Sequence, residues 1–398
     1  MSGEPIVRIA SRGDGVTAGG RHAPFAAPGD MLLDDGSLVP GPHHAPPPCR
    51  HFPKCGGCQL QHVDDRAYAR FLHDRIIGAL ASQGLSAPEM RPAHLSPPRS
   101  RRRASLRAER IGRKVVIGFN EQASHRIVDM AECHILHPRL FDLVAPLRAL
   151  LGPLLRERRA AGVQMTLCGE GVDLMIEKVE VAGLAATEAL TDFAEAHKLA
   201  RLAIDDGYGP QPRWEPRPAT VTLGGVAVAL PHGAFLQATA EGEAALAAGV
   251  AEAVGSAATV ADLFAGLGTF ALPLSARARV LAVEGARDAA LALKSAADRA
   301  QRPVAVEHRD LFRRPLDARE LARFDAIVLD PPRAGAKEQM EALAVSPVAR
   351  IAYVSCNPAT FARDAKMLVD GGFKLGWIRP VGQFRWSTHV ELVASFAR

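Results

Sequence analysis

Lysine is scarce in this chain of 398 residues: of 48 cationic side chains only 8 are Lys and 40 are Arg. Genome composition explains such a bias on its own, whereas phosphate recognition gives it a use, because a planar guanidinium matches a phosphate better than an ammonium does. Long apolar runs are missing as well. The longest uncharged stretch, Pro218 to Ala240, is broken by Gly224, Gly225, Pro231 and Gly233, which excludes a membrane helix there. The opening MSGEPIVRIA lacks the apolar centre of a secretion signal, so a cytoplasmic protein with no membrane partner is expected. Cysteine is sparse too. Six in a chain of this length do not make a disulfide scaffold; they point to thiol chemistry or to metal in a reducing compartment. With 48% apolar and 23% charged residues, wholesale disorder, a collagen repeat and a coiled coil are excluded.

The length suits two or three domains. The net charge of +5 is unevenly spread: between Arg99 and Lys114 eight cationic residues face one acid, Glu109. That stripe is the footprint of a polyanion binder, with a solvated strand face as the plainer alternative. The remainder of the chain is slightly acidic.

Along the chain, residues 1–45 contain short β-like runs (Ile6 to Ala10, Met31 to Leu33) between glycines and prolines, suggesting a small β module of few strands. A Pro/His-rich linker leads into a cysteine segment over 46–64. From Asp64 to Gln83 the spacing of Tyr68, Phe71, Leu72, Ile76 and Leu80 predicts a helix capped by Asp64 or Asp65 and stopped by Gly84. Residues 65–215 mix strands (114–118, 163–168, 172–177) with helices (139–159, 186–197), an α+β middle domain. Dense proline from Pro210 to Pro218 sets the boundary. Over 216–398 apolar runs end at Asp262, Glu284, Asp310, Asp330 and Cys356, at intervals of 22, 26, 20 and 26 residues. Each interval holds one strand, one helix and two loops, the pitch of a doubly wound parallel sheet. Ligands bind at the carboxyl ends of such strands, and these ends carry four acids and one thiol.

The segment from Asp262 to Ala271, DLFAGLGTFA, opens a helix after a strand and fits G-x-G-x-x-A, a dinucleotide fingerprint with Glu284 as the ribose acid. An acid at Asp262 opposes a pyrophosphate but suits the ammonium and sulfonium of S-adenosylmethionine. Glu284 then accepts the ribose hydroxyls and Asp310 the adenine amino group. Asp330-Pro331-Pro332-Arg333 makes a rigid turn at the fourth strand end. Amino-methylating enzymes use an Asp/Asn-Pro-Pro-aromatic turn; Arg333 replaces the aromatic residue and argues against an exocyclic amine as acceptor.

Cys168 lies within an apolar strand and reads as an inert core thiol. Cys356, in VSCNP, sits at the strand-end rim before an Asn-Pro turn, a place for a nucleophile. His389 to Phe396 reads as a last strand with Glu391 among apolar residues; beside a nucleophile, such a Glu is a candidate base. The pair suits methylation of pyrimidine carbon 5, a poor nucleophile. Thiolate addition at carbon 6 creates an enolate that takes the methyl group, and a base must then remove the carbon 5 proton. The base must also leave its stack. Cys49, Cys55, Cys58 and the remote Cys133 make a second constellation. Three clustered cysteines plus one distant favour an iron–sulfur cluster over zinc, which commonly uses paired C-x2-C knuckles, and over empty thiols.

Together FLQ at Phe235 to Gln237, DLFAGLGTF, DPPRAG, SCNP and HVE resemble the RNA uridine-5-methyltransferase family over nearly the whole chain. The resemblance implies an α/β fold, a Rossmann-like class I methyltransferase sheet with an α+β middle domain and a small N-terminal β module similar to a shortened TRAM barrel. It implies S-adenosylmethionine contacts at Gln237, Phe264, Thr269, Glu284, Asp310 and Asp330, with Thr269 standing where relatives commonly carry Asn. Cys356 is then the nucleophile and Glu391 the base. The cysteines look like those of members holding a 4Fe-4S cluster, among them enzymes acting on 23S ribosomal RNA. The expected partner is RNA, ribosomal first and transfer RNA second, with the chain a monomer. Amino-group methylation and a non-catalytic iron–sulfur RNA-binding protein are the competing readings.

Overall fold

In the computed structural model, which describes residues 3–398, the N-terminal module has five strands where the sequence signalled two. Gly3–Ile9, Gly15–Thr17, His22–Ala23, Met31–Leu33 and Leu38–Val39 form one antiparallel sheet, with the third, second, first, fourth and fifth side by side. Four of the five strands are only two or three residues long, too short for alternation to be read. Ile6, Ala23, Ala26 and Leu32 make the small core. The buried Asp30 carboxylate accepts from Ala27 N at 2.8 Å, Gly41 N at 2.7 Å and His44 Nδ1 at 2.7 Å, tying the following linker to the module.

The chain divides into two compact units. The first comprises the residues up to Ala67, Pro97–Val221 and Arg385–Thr388. Its larger sheet has six strands in the order Gln211–Trp214, Arg201–Asp205, Gly171–Glu177, Ala160–Cys168, Arg103–Ile111 and Lys114–Gly118. Helices Val144–Leu154 and Leu184–Ala196 contribute Leu147, Leu151 and Leu190 to the same core as Leu106, Val163, Leu174 and Leu202. The single helix expected over 139–159 is two, Pro138–Phe141 and Val144–Leu154, and strand begins at Ala160. The apolar residues that suggested continuity, Leu140, Leu143, Val144 and Leu147, are buried on both sides of the break. The proline-dense 210–218 segment contains the strand Gln211–Trp214, paired with Arg201–Asp205 at the sheet edge, where proline is tolerated.

The arginine stripe lies in the strand Arg103–Ile111 and its flanks. Ala104, Leu106 and Ala108 face the core, so Arg103, Ser105, Arg107 and Glu109 lie on the opposite face. Part of the charge is spent internally. Arg101 is drawn under the Phe119 ring, with Nε donating to the Arg103 carbonyl at 3.0 Å. Arg110 donates to the carbonyls of Gly112, Gly152 and Leu155, and Lys114 pairs with Asp129 at 2.6 Å. The stripe is therefore less uniform than its composition suggests.

The second unit comprises Tyr68–Ser96, Thr222–Phe384 and His389–Arg398. Residues 68–96 thus group with this unit and not with the middle domain where the sequence placed them. The helix Asp65–Ser82, capped by Asp64 accepting from Ala67 N at 2.8 Å, buries Tyr68, Phe71, Leu72, Ile76 and Leu80. Tyr68 donates to the Phe384 carbonyl at 3.1 Å. The unit is built on β1 (Thr259–Leu263), β2 (Arg279–Glu284), β3 (Val304–His308), β4 (Ala326–Leu329), β5 (Arg350–Ser355), β6 (Lys374–Gly382) and β7 (Glu391–Ala397). Their order is β3-β2-β1-β4-β5-β7-β6, parallel through β5, with β7 antiparallel to both neighbours. Short strands Glu89–Met90 and His94–Leu95 extend the edge along β6. All four residues of β4 are fully buried, as expected for a parallel strand covered on both faces. The chain order reverses between β1 and β4, and a ligand cleft is expected at their carboxyl ends. β6 went unread in the sequence because Gly376, Arg379 and Pro380 interrupt its alternation.

Candidate active site

β1 delivers Asp262 to the reversal point, and the chain then turns sharply. Phe264, Gly266 and Gly268 take φ of +64°, +55° and +92°. Glycine is needed at 268 for space as well as for φ: a Cβ there would stand 2.4 Å from Leu293 Cδ1 on the helix Arg287–Arg299. Phe264 holds its left-handed conformation while packing on Phe312 with ring centroids 5.5 Å apart. Strained backbone of this kind is concentrated at functional sites.

Glu284, the last residue of β2, is fixed by the glycine loop itself. Gly266 N donates to Oε2 at 2.7 Å and Ala286 N to Oε1 at 2.6 Å. A carboxylate has about four acceptor positions, so two remain for hydroxyl donors. Asp310 lies two residues beyond β3, where Oδ1 accepts from Phe312 N at 3.0 Å. Thr269 sits half-buried on the loop after Gly268.

Asp262 is wholly buried, and among the described residues neither carboxylate oxygen has a hydrogen-bond partner. Burial, reinforced by the charge of Asp330, raises its carboxyl well above the ordinary range. Asp330, directly after β4, is pushed up to about 7 by desolvation. An unpartnered buried carboxylate is costly and persists where something else satisfies it. Asp262, Asp330 and the backbone-fixed Glu284 fit a ligand that brings positive charge and hydroxyl donors. S-adenosylmethionine has both: an ammonium, a sulfonium and a ribose diol.

The thiol and the second carboxylate meet at the other side of this cleft. In the antiparallel pair of β5 and β7 the ladder ends with Ser355 opposite Leu392; Cys356 is the next residue after β5 and Glu391 the residue before Leu392, and the charge of Glu391 acts on the Cys356 thiol. Glu391 is 5% exposed, and burial, then the Asp330 charge, raises its carboxyl to about 8. Burial, then the negative charges of Glu391 and Asp330, raises the Cys356 thiol to about 11, while Arg333 acts in the opposite sense. Asn357 caps the 13-residue helix Pro358–Asp370, accepting from Ala359 N at 3.1 Å, so Cys356 precedes a helix N-terminus that favours thiolate.

Two groups that the sequence left unnoticed shape this cleft. Asp364, fully buried, accepts from Tyr353 Oη at 2.6 Å and Ala336 N at 2.8 Å, anchoring the loop after the double proline. Asn357 and Thr360 also hold the Arg333 carbonyl, at 3.0 and 3.2 Å. Gln383, 2% exposed, lies two residues beyond Val381, which stands opposite Glu391; it donates to Gln237 Oε1 at 2.7 Å and accepts from Ala238 N at 2.7 Å. A Gln in a Gly-Gln-Phe run gives no signal in sequence, because its partners lie 146 and 145 residues away.

In the first unit Cys49, Cys55, Cys58 and Cys133 line one cavity, walled by Phe52, Phe119, Met130 and Ile135. Burial raises all four thiols, Cys58 to about 12; neighbouring thiols add to the effect at Cys55, Cys58 and Cys133, and the Glu132 charge adds to it at Cys49. One buried and three half-buried thiols whose charges would oppose one another fit a site whose cation would stabilise thiolates. Among the described residues no group of three or more His, Cys, Asp or Glu side chains is gathered as a metal-ion site. Cys168, by contrast, is buried in its strand with Sγ 3.4 Å from the Gly171 carbonyl, and lies outside that cavity.

The 3-2-1-4-5-7-6 strand order with a glycine-rich first turn and acids at successive strand ends defines a class I methyltransferase fold. A solved tRNA (uracil-54, C5)-methyltransferase of Pyrococcus abyssi, in complex with S-adenosyl-L-homocysteine, shares it over all of both chains, with a TM-score of 0.76 at 21% identity. Residues 227–396 match the tRNA (Uracil-5-)-methyltransferase family model. An uncharacterised RNA methyltransferase of Zymomonas mobilis is 54% identical over 99% of both chains. The 23S rRNA (uracil(1939)-C(5))-methyltransferase of Chromohalobacter salexigens is 32% identical over 91% of this chain and 78% of its own. The chain belongs to the RNA uridine-5-methyltransferase family.

Proposed function

We propose that this chain methylates carbon 5 of a uridine in 23S ribosomal RNA, using S-adenosylmethionine, with Cys356 as nucleophile and Glu391 as base. The observation that carries the reading is the end of the β5–β7 ladder, where the thiol directly follows the last paired residue of β5 and the raised carboxylate directly precedes its partner on β7, at the rim of an acid-lined cleft. Ribosomal RNA is supported by the name of the relative at 32% identity. Transfer RNA is the alternative substrate.

S-adenosylmethionine supplies a methyl group on a sulfonium. Asp262 and Asp330 would hold its positive groups, Glu284 the ribose, and Gln237, Phe264, Thr269 and Asp310 the rest of the contacts. The Cys356 thiolate adds to carbon 6 of the uracil, and carbon 5 of the resulting enolate takes the methyl group as the methyl–sulfur bond breaks, its electron pair leaving on sulfur as a neutral thioether. Glu391 then takes the carbon 5 proton, the carbon 6–sulfur bond breaks, and the thiolate is regenerated. A carboxyl raised to about 8 is a stronger base than an ordinary Glu and still ionises near neutral pH.

The test is RNA carrying 5-fluorouridine, in which the last proton is replaced by fluorine. The expected result is a covalent protein–RNA complex that survives denaturation in the wild type and is absent in Cys356→Ala. Methylation of ordinary RNA by Cys356→Ala would refute the thiol mechanism and favour amino-group transfer.

We also propose that Cys49, Cys55, Cys58 and Cys133 hold a 4Fe-4S cluster. Support comes from the donor chemistry, four soft thiols around an apolar-walled cavity. No described helix is long and apolar enough to cross a membrane.

A further inference from the structure

Gln383 follows the end of β6 and is almost wholly enclosed. Its carbonyl oxygen accepts from Ala238 N at 2.7 Å, which settles the orientation of the amide: the amino group must point the other way. From there it donates to Gln237 Oε1 at 2.7 Å, and the β6–β7 register that sets Val381 opposite Glu391 puts Gln383, two residues on, at the diagonal neighbour position of that carboxylate. Gln237 continues the chain, with Nε2 3.4 Å from Asp330 Oδ2. The packing around this amide is equally definite. A Cβ on Gly242 would stand 2.7 Å from Gln383 Cβ, so the first turn of the helix Ala240–Val254 leaves room for it only as glycine. Thr239, the cap of that helix, is itself held by Ser96 at 2.7 Å.

We propose that Gln383 is the positioning residue for the base: it fixes the Glu391 carboxylate toward the substrate face and stabilises its ionised form. The inference rests on the reading of Glu391 as base given above. A buried carboxylate facing Asp330 and the Cys356 thiol has two neighbours that disfavour its charge, and Arg333 and Gln383 are the groups that favour it. Of these, Arg333 is exposed, whereas Gln383 is buried and locked by its hydrogen bonds with Ala238 and Gln237. Such a donor acts on one step. Thiolate addition and methyl transfer precede the use of the base, and only removal of the carbon 5 proton requires it.

The deciding variant is Gln383→Glu, which keeps the volume and the acceptor for Ala238 N–H while replacing the donor to Glu391 by an acceptor. With ordinary RNA and S-adenosylmethionine, the expected result is a denaturation-resistant protein–RNA complex that already carries the transferred methyl group. Product release should slow roughly tenfold or more relative to methyl transfer, and its acid limb, set by ionisation of the base, should move to higher pH. Glu391→Gln gives the reference for full loss of the base. Gln383→Met should show the same trapped complex. If Gln383→Glu releases product as the wild type does, or slows without trapping a methylated complex, the positioning role is wrong and the Glu391 reading stands. If the wild type forms no complex with 5-fluorouridine RNA, the site reading fails first and this proposal falls with it.

Discussion

Replacing Asp262 by Asn should move stability and cofactor affinity in opposite directions. The wild-type carboxylate is buried with neither oxygen paired, and its carboxyl is raised by burial and by Asp330. A group whose folded value exceeds its unfolded one is neutral in the fold where the unfolded chain already ionises it. Its contribution is full below the ordinary carboxylate range and is lost as pH rises through the folded value. At pH 7 the cofactor-free protein therefore carries a penalty that the neutral, near-isosteric Asn removes. An unsatisfied buried polar group costs about 1–3 kcal/mol, and more when charged. Each kcal/mol moves the melting temperature by about 2–4 °C in a unit of this size. The variant should melt several degrees higher without cofactor. Loss of a hydrogen bond to a charged partner, about 1.5–3 kcal/mol, should weaken S-adenosylmethionine binding by roughly 10- to 150-fold. Calorimetric melting and titration at pH 6, 7 and 8 provide the assay. The stabilisation should grow with pH. A variant that melts lower at every pH, or binds the cofactor as the wild type does, refutes the assignment of Asp262 as the cation partner.

Asp330, raised to about 7, makes S-adenosylmethionine affinity rise with pH across that value, because a cationic ligand favours the ionised acid. S-adenosylhomocysteine, without the sulfonium, should show a shallower dependence in the same titration, and parallel slopes would contradict a charge-based site. Protein purified without air should be brown with about four irons per chain, and Cys58→Ser should lose the colour. Colourless protein with stoichiometric zinc would overturn the cluster. Neutralising Arg99, Arg107 and Arg113 to Gln should weaken RNA binding at every sequence and reduce its log–log salt slope by roughly 0.7 per lost contact, leaving cofactor affinity unchanged. An unaltered slope would assign the stripe to a solvated strand face.

Much of the second unit was legible because its signals are local. The strand ends at Asp262, Glu284, Asp330 and Cys356 were placed to within one residue by apolar runs closing on a polar residue, and the glycine turn follows from chain geometry. The N-terminal strands, β6 and the grouping of residues 68–96 were not legible. Two-residue strands carry no period, and β6 is held by pairing with β7 and not by its own pattern.

The sequence by itself determined which chemistries were available: a thiol, a buried-strand Glu, four strand-end acids and four further cysteines, each in a context that local rules interpret. Tertiary structure decided which of them meet. The β5–β7 ladder ends beside Cys356 and Glu391, burial raises the proton affinities of both, and an amide from the end of β6 holds Gln237 and Ala238 next to them in the fold. Those are properties of long-range pairing and of a low-dielectric interior, and neither is written in the spacing of residues along one chain.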